Sequence, residues 1–192
     1  AAYSALCVAD TRAAYLWAAS CFNERSSRAV RARCRAFLAQ ALEAPALSDH
    51  RDHPRGVRLR PQLISLIDAL HAREVEVWIV SSSQQPMVES VAERYGIPLQ
   101  RVIGIDFERD AEDRYTRSPR HPIPVAEAKW TRLNAEVGRA PTVMFGDSRH
   151  DLPLMKIAGG GVLIHPPNTP LWIEAEEHGF LCVSPDQVEC ER

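Results

Sequence analysis

The spacing of apolar residues changes near residue 56 of this chain. Before that point it is helical. Asp10 or Thr11 stands where it can cap a first helix carrying Ala13, Ala14, Leu16, Trp17 and Cys21. A second helix is predicted from Ser27 towards Ala44, with Val30, Cys34, Phe37, Leu38 and Leu42 along one face. Its other face is rich in arginine, which reads as a solvated surface, with a binding patch as the alternative. Residues 45–56 combine prolines, aspartates and histidines and are expected to form a linker.

Beyond residue 56, short apolar runs alternate with amphipathic segments. Pro61 opens a helix bearing Leu63, Ile64, Ile67 and Leu70. Residues 75–80 predict a buried strand, and Pro86 a helix through Val88, Val91 and Tyr95 that Gly96 ends. Residues 102–105 predict a strand, 108–124 a polar loop, and 125–137 a helix stopped at Gly138. Then come a strand at 142–145, a short helix at 151–158, a strand at 161–164, a helix at 170–178 and an apolar run at 180–183. Strand and helix in alternation predict an α/β fold, a Rossmann-like parallel sheet with helices on both faces. The helical front does not fit that alternation. The expected division is therefore residues 1–55, a small helical segment, and residues 56–192, the α/β core.

Composition narrows the class. The 192 residues are 45% hydrophobic and 25% charged, as in ordinary soluble domains. A net charge of -2 supplies no basic face, which argues against a general nucleic-acid binder. No apolar run approaches the roughly 18 residues of a membrane span. Five cysteines without C-x-x-C spacing speak against a disulfide framework or a zinc site. They favour a reducing compartment, so a cytoplasmic location is expected. Only Lys129 and Lys156 are lysines among 23 basic residues, so a lysine here answers a more particular need than positive charge. The chain opens at Ala1, without a visible signal sequence, and is expected to be a processed or fragmentary product.

Parallel sheets bind ligands at the carboxyl ends of their strands. After Val77-Trp78-Ile79-Val80 come Ser81, Ser82 and Ser83, then a helix start. Hydroxyls beside free N–H groups at a helix N-terminus make a phosphate cradle, although serine also simply caps helices. After Thr142-Val143-Met144-Phe145 come Gly146, Asp147, Ser148, Arg149, His150 and Asp151. Two carboxylates four residues apart at a strand end can hold Mg²⁺, or one can hold it while the other orders its surroundings. The competing reading is turn chemistry with Asp151 as an N-cap. Lys129, near a helix start between these segments, can neutralise a phosphoryl oxygen as a compact charge.

This order of serine, lysine and G-D-x-x-x-D resembles the haloacid dehalogenase superfamily, and within it the phosphoserine-phosphatase-like hydrolases. Ser81 matches the second motif, Lys129 the third, and Asp147 and Asp151 the fourth. The likeness covers roughly residues 56–185, and the front helices resemble part of the helical cap. It implies a Mg²⁺-dependent phosphomonoester hydrolase of a small phosphorylated metabolite, working through an aspartyl-phosphate. Asp147 would hold the metal. Ser81, Ser82 and Lys129 would bind the phosphoryl group, and Lys129 and Asp151 would act in catalysis. The superfamily's first motif, D-x-D-x-[T/V] after a strand, supplies the nucleophile, and it is not found in this sequence. Its strand is expected upstream of Ala1, which would leave this chain inactive alone. The alternative is a non-catalytic phospholigand-binding or interaction module on the same fold. A carbon–halogen hydrolase fits less well, because that chemistry has no use for G-D-x-x-x-D. Substrate identity and oligomeric state are not legible.

Other candidates carry weaker signals. Asp10 ends an apolar run, but Val8 and Arg12 flank it at two residues, so a helix cap is the better reading. Asp106 and Glu108 follow an apolar run at the wrong place in the chain, and Asp106 reads as a strand-end residue. His50 and His53 read as loop residues, as do Arg55, Arg58 and Arg60, and His150 faces either substrate or solvent. Cys7, Cys21, Cys34 and Cys182 suit burial better than catalysis, and Cys190 reads as incidental.

Overall fold

The computed structural model describes residues 6, 8–43, 57 and 59–185. The predicted linker, His50, His53, Arg55, Arg58, Cys7 and Cys190 lie outside these residues. Seven α-helices and seven strands are described. The first helix, α1, spans Thr11–Ala19, capped by Asp10, whose carboxylate accepts from the Ala13 N–H at 2.9 Å. Helix α2 spans Ser27–Glu43 and α3 Pro61–His71. They are followed by β1 at Ile79–Gln84, α4 at Gln85–Arg94 and β2 at Val102–Ile105. Next come β3 at Phe107–Arg109, β4 at Tyr115–Pro119 and α5 at Glu127–Val137. The chain continues through β5 at Met144–Gly146, α6 at Leu152–Ile157, β6 at Gly161–Ile164, α7 at Pro170–Glu177 and β7 at Leu181–Val183.

Alternation along the strands explains the layers. Ile79 and Val102 point into a cluster with Val88 and Ala92 of α4 and Ile67 of α3. Their neighbours Val80 and Ile103 point the other way, among Leu133 of α5 and Leu154 of α6. Helices therefore cover both faces of the parallel pair, as period-2 burial requires. The remaining parallel strands run in the order β5-β6-β7, with Leu163 under Leu152, Met155, Leu171 and Ala175 of α6 and α7. This is the expected α/β architecture, but its parallel strands fall into two sheets, β1-β2 and β5-β6-β7.

Four expectations need correction. The strand predicted at 75–80 begins later, at Ile79, and runs through the serines. Val75 is used to close α3 instead: Glu74 takes a left-handed φ of 57°, and the Val75 N–H donates to the Leu70 carbonyl. The loop at 108–124 contains an antiparallel hairpin, β3-β4, invisible to periodicity because each short strand buries a single aromatic ring, Phe107 and Tyr115. The arginine face of α2 is only partly the solvated surface expected: Arg28, Arg33 and Arg35 are exposed, but Arg31 pairs with Glu89 and Arg35 with Glu93 on α4. On its apolar face Val30, Cys34 and Leu38 are buried, while Phe37 is exposed. Finally, among the described cysteines Cys21 is exposed, Cys34 is buried and Cys182 is half-buried. The front helices share a core with the hairpin, in which Ala19, Val30 and Cys34 pack with Ile105, Phe107, Tyr115 and Ile123.

Candidate active site

The carboxyl ends of β1 and β5 meet the N-terminus of α5. The link at β1 is Ser82, whose hydroxyl donates to the Pro124 carbonyl at 2.7 Å, just before the turn into α5. That turn is strained, with Ala126 at φ 49°, a region that L-residues seldom enter, so its neighbours must hold it. It brings Lys129 inward on the first turn of α5. The Lys129 Nζ donates to Asp151 Oδ1 at 2.5 Å, and the two side chains are only 7% and 5% exposed. Lys156, by contrast, is an exposed residue at the end of α6.

Asp151 is fully engaged. Its Oδ2 accepts from the Asp147 N–H at 3.1 Å, the Ser148 N–H at 3.0 Å and the Ser148 hydroxyl at 2.8 Å. Asp151 does stand at the N-cap position of α6, but its side chain makes no cap bond there; it closes a reciprocal capping box with Ser148 around the 3-10 turn Arg149–Asp151. The S-x-x-D spacing was the available signal for it. Gly146 is forced by the same loop: a Cβ there would sit 2.5 Å from the Asp151 Cβ. Burial works to raise the Asp151 carboxyl, but the Lys129 ammonium and these hydrogen bonds outweigh it and hold it below the usual range.

Asp147 sits in the opposite condition. Burial, then the charge of Asp151, push its carboxyl above the usual range, and Lys129 offsets this only in part. The site therefore holds one carboxylate satisfied by protein and one short of positive charge. That deficit suits a hard divalent cation, which binds through one or two carboxylates and keeps several waters. Among the described residues no group of three or more His, Cys, Asp or Glu side chains could hold a metal ion. Mg²⁺ fits as an ion only partly enclosed by these residues.

Lys129, Asp147 and Asp151 are thus brought together. Ser81 lies at the same end of β1, in the stretch where pairing with β2 slips between Val80 and Gln84, and its hydroxyl accepts from the Ser83 N–H at 3.2 Å. Sequence reasoning missed His165, whose Nδ1 lies 3.1 Å from the Asp147 carbonyl. His150, left open between substrate and solvent, meets the Tyr15 ring of α1 edge-on at 6.0 Å. Gln84 donates to the Ala18 carbonyl of α1 at 3.0 Å, so the front helix is tied to the site from both β1 and the G-D loop. Asp106 falls between β2 and β3, as a strand-end residue, with the Arg120 guanidinium 3.7 Å away.

A parallel α/β core with serine, lysine and paired aspartates at its strand ends defines a class of phosphoryl-handling hydrolase folds. The chain belongs to the haloacid dehalogenase-like hydrolase family, whose model matches residues 3–156. It is 31% identical over 113 residues to a histidinol-phosphatase of Neisseria meningitidis serogroup C (strain 8013), covering 55% of this chain and 50% of that protein. The chain thus spans about half the length of this curated relative. Its fold is similar to that of a conserved functionally unknown protein from Anaerococcus prevotii DSM 20548, with a TM-score of 0.70, 18% identity, and coverage of 81% of this chain and 48% of that one. DsGPDH of Dunaliella salina aligns at a TM-score of 0.50 and 19% identity, over 88% of this chain and 34% of that one. No helix among the described residues is long and apolar enough to cross a membrane.

Proposed function

We propose that this chain carries the phosphate- and metal-binding half of a Mg²⁺-dependent phosphomonoester hydrolase acting on a small phosphorylated metabolite. The observation that carries the reading is the buried Lys129–Asp151 pair with the charge-deficient Asp147 beside it. A buried ion pair adds little stability over an apolar replacement, so its retention at a strand end favours a chemical role. Residues 56–192 are read as the phosphatase core without its nucleophile strand, and residues 1–55 as part of a helical cap, which the Tyr15–His150 and Gln84–Ala18 contacts support. Free thiols at Cys21, Cys34 and Cys182 favour the reducing cytoplasm.

In this reading Lys129 offers its ammonium to an equatorial phosphoryl oxygen while Asp151 fixes the ammonium in place. Ser81 presents its hydroxyl to a remaining oxygen, whereas Ser82, expected to offer its hydroxyl too, spends that proton on the Pro124 carbonyl and is left with its main-chain N–H for this role. Asp147 is the ligand that would hold Mg²⁺, and the ion when bound would offset the repulsion between an attacking carboxylate and the phosphate dianion. Helix α1 limits water access over His150. The attacking carboxylate is not supplied by any D-x-D in this sequence. The 192-residue chain alone is therefore expected to leave p-nitrophenyl phosphate intact, with or without Mg²⁺. Robust Mg²⁺-dependent turnover would overturn the claim that the nucleophile is missing. The second reading, a phospholigand-binding module, rests on that same missing motif. It gains if a longer polypeptide containing this chain binds phosphate with Mg²⁺ but does not hydrolyse the ester.

A further inference from the structure

Strand β6 ends at Ile164, level with the turn out of β5, since Gly146 pairs with Leu163. Its next residues therefore stand beside the G-D loop, at the carboxyl end of the sheet where parallel folds place their ligands. The sequence leaves them few ways to reach that loop. The His165 N–H donates to the Val183 carbonyl of β7 at 3.1 Å, and Pro166 and Pro167 have no N–H. Across residues 165–167 the imidazole is the one donor left. Its Nδ1 lies 3.1 Å from the Asp147 carbonyl. A carbonyl only accepts, so Nδ1 carries the hydrogen.

This bond supplies what the rest of the loop lacks. The N–H groups of Asp147 and Ser148 and the Ser148 hydroxyl all donate to Asp151, and all three bonds end on one atom, Oδ2. A loop tied to a single oxygen can rock about it. The Asp147–Ser148 peptide is planar, so holding its carbonyl as well as its N–H fixes the whole unit. The preceding peptide is held through the Asp147 N–H. With the units on both sides of its Cα secured, Asp147 keeps one backbone setting, and its Cβ keeps one direction.

We propose that His165 is a positioning residue: its Nδ1–H clamps the Asp147 carbonyl and so aims the Asp147 carboxylate at the cation. The clamp stands on the geometry of the chain alone; its consequence for Mg²⁺ rests on the phosphatase reading. Direct ligation through Nε2 is the poorer assignment, because Mg²⁺ prefers oxygen. Groups that orient a metal ligand from behind typically govern metal affinity by about 10–100-fold.

The test compares the 192-residue chain with His165→Ala, His165→Asn and His165→Gln. Asparagine carries its amide nitrogen on Cγ, as histidine carries Nδ1, whereas glutamine carries it near the place of Nε2. Amide exchange at Asp147 and Ser148 is followed in EDTA, and Mg²⁺ affinity by calorimetry. His165→Ala and His165→Gln are expected to speed exchange at both amides by about tenfold. The same two variants are expected to bind Mg²⁺ about tenfold or more weakly. His165→Asn is expected to restore both properties to those of the parent. Unchanged exchange in His165→Ala, or rescue by Gln rather than Asn, would overturn the clamp whether or not Mg²⁺ binds. Equal losses in all three variants would mark the ring as packing and overturn it too. Parental Mg²⁺ affinity in His165→Ala, beside faster exchange, would overturn the role in aiming Asp147. A parent chain that binds no Mg²⁺, while exchange follows the expected order, supports the clamp and counts against the phosphatase reading.

Discussion

Replacing Lys129 by Met is expected to cost the fold about 3 kcal/mol or more, because removing one partner of a buried pair leaves an uncompensated charge. Lys129 and Asp151 are 7% and 5% exposed, so water cannot take over the role of the ammonium. The hydrogen bonds from Ser148 and the Asp147 N–H remain, which keeps the loss near the lower end of that range. The effect has a pH signature. In the parent chain the Asp151 carboxyl is depressed, so it adds stability above its unfolded pKa, and that stability fades as pH falls through the folded value. In the Lys129→Met chain the ammonium that depresses this carboxyl is gone while burial remains, so much of that stability is missing above the unfolded pKa. The gap between the two proteins is therefore widest near neutrality and closes below about pH 4. Urea titrations across that range measure it. A gap under about 0.5 kcal/mol at pH 7 would place Lys129 with ordinary surface residues.

Gly146→Ala is expected to destabilise by about 1–3 kcal/mol, the usual cost of forcing an extra methyl into a packed site. The added Cβ would meet the Asp151 Cβ at 2.5 Å and its Cγ at 3.0 Å. Asp151 cannot retreat without breaking its bonds to Lys129 and Ser148, so strain at Gly146 becomes misplacement of the ammonium. Stability and local order are both checkable, by denaturant unfolding and by exchange of the Ser148 amide. An alanine variant as stable as the parent, with that amide still protected, would mean that the loop has slack.

The G-D-x-x-x-D loop was legible because its local rules agree: an apolar strand, a glycine where no Cβ fits, and acids opening a helix. Lys129 stood out through the scarcity of lysine and its place between the serine and G-D segments. Ser148 and His165 were not found, since one is an ordinary cap residue and the other contributes through a contact that crosses the fold. The parallel core followed from alternating runs, and its faces from residues such as Ile79 and Val80. The β3-β4 hairpin left no periodic trace, with one buried ring per strand. The division into two parallel sheets could not be read at all, because strand order is a property of long-range pairing.

The most direct test of the site is a Mg²⁺ titration of the parent chain and of Asp147→Asn, followed by thermal unfolding and calorimetry. Asp147 is a carboxyl raised in the folded state, so its ionised form costs stability above its unfolded pKa. The account predicts that Asp147→Asn in EDTA melts above the parent at neutral pH, and that Mg²⁺ stabilises the parent alone, as a ligand that prefers the native state must. Equal Mg²⁺ responses in the two proteins, or a lower melting temperature for Asp147→Asn in EDTA, would contradict it.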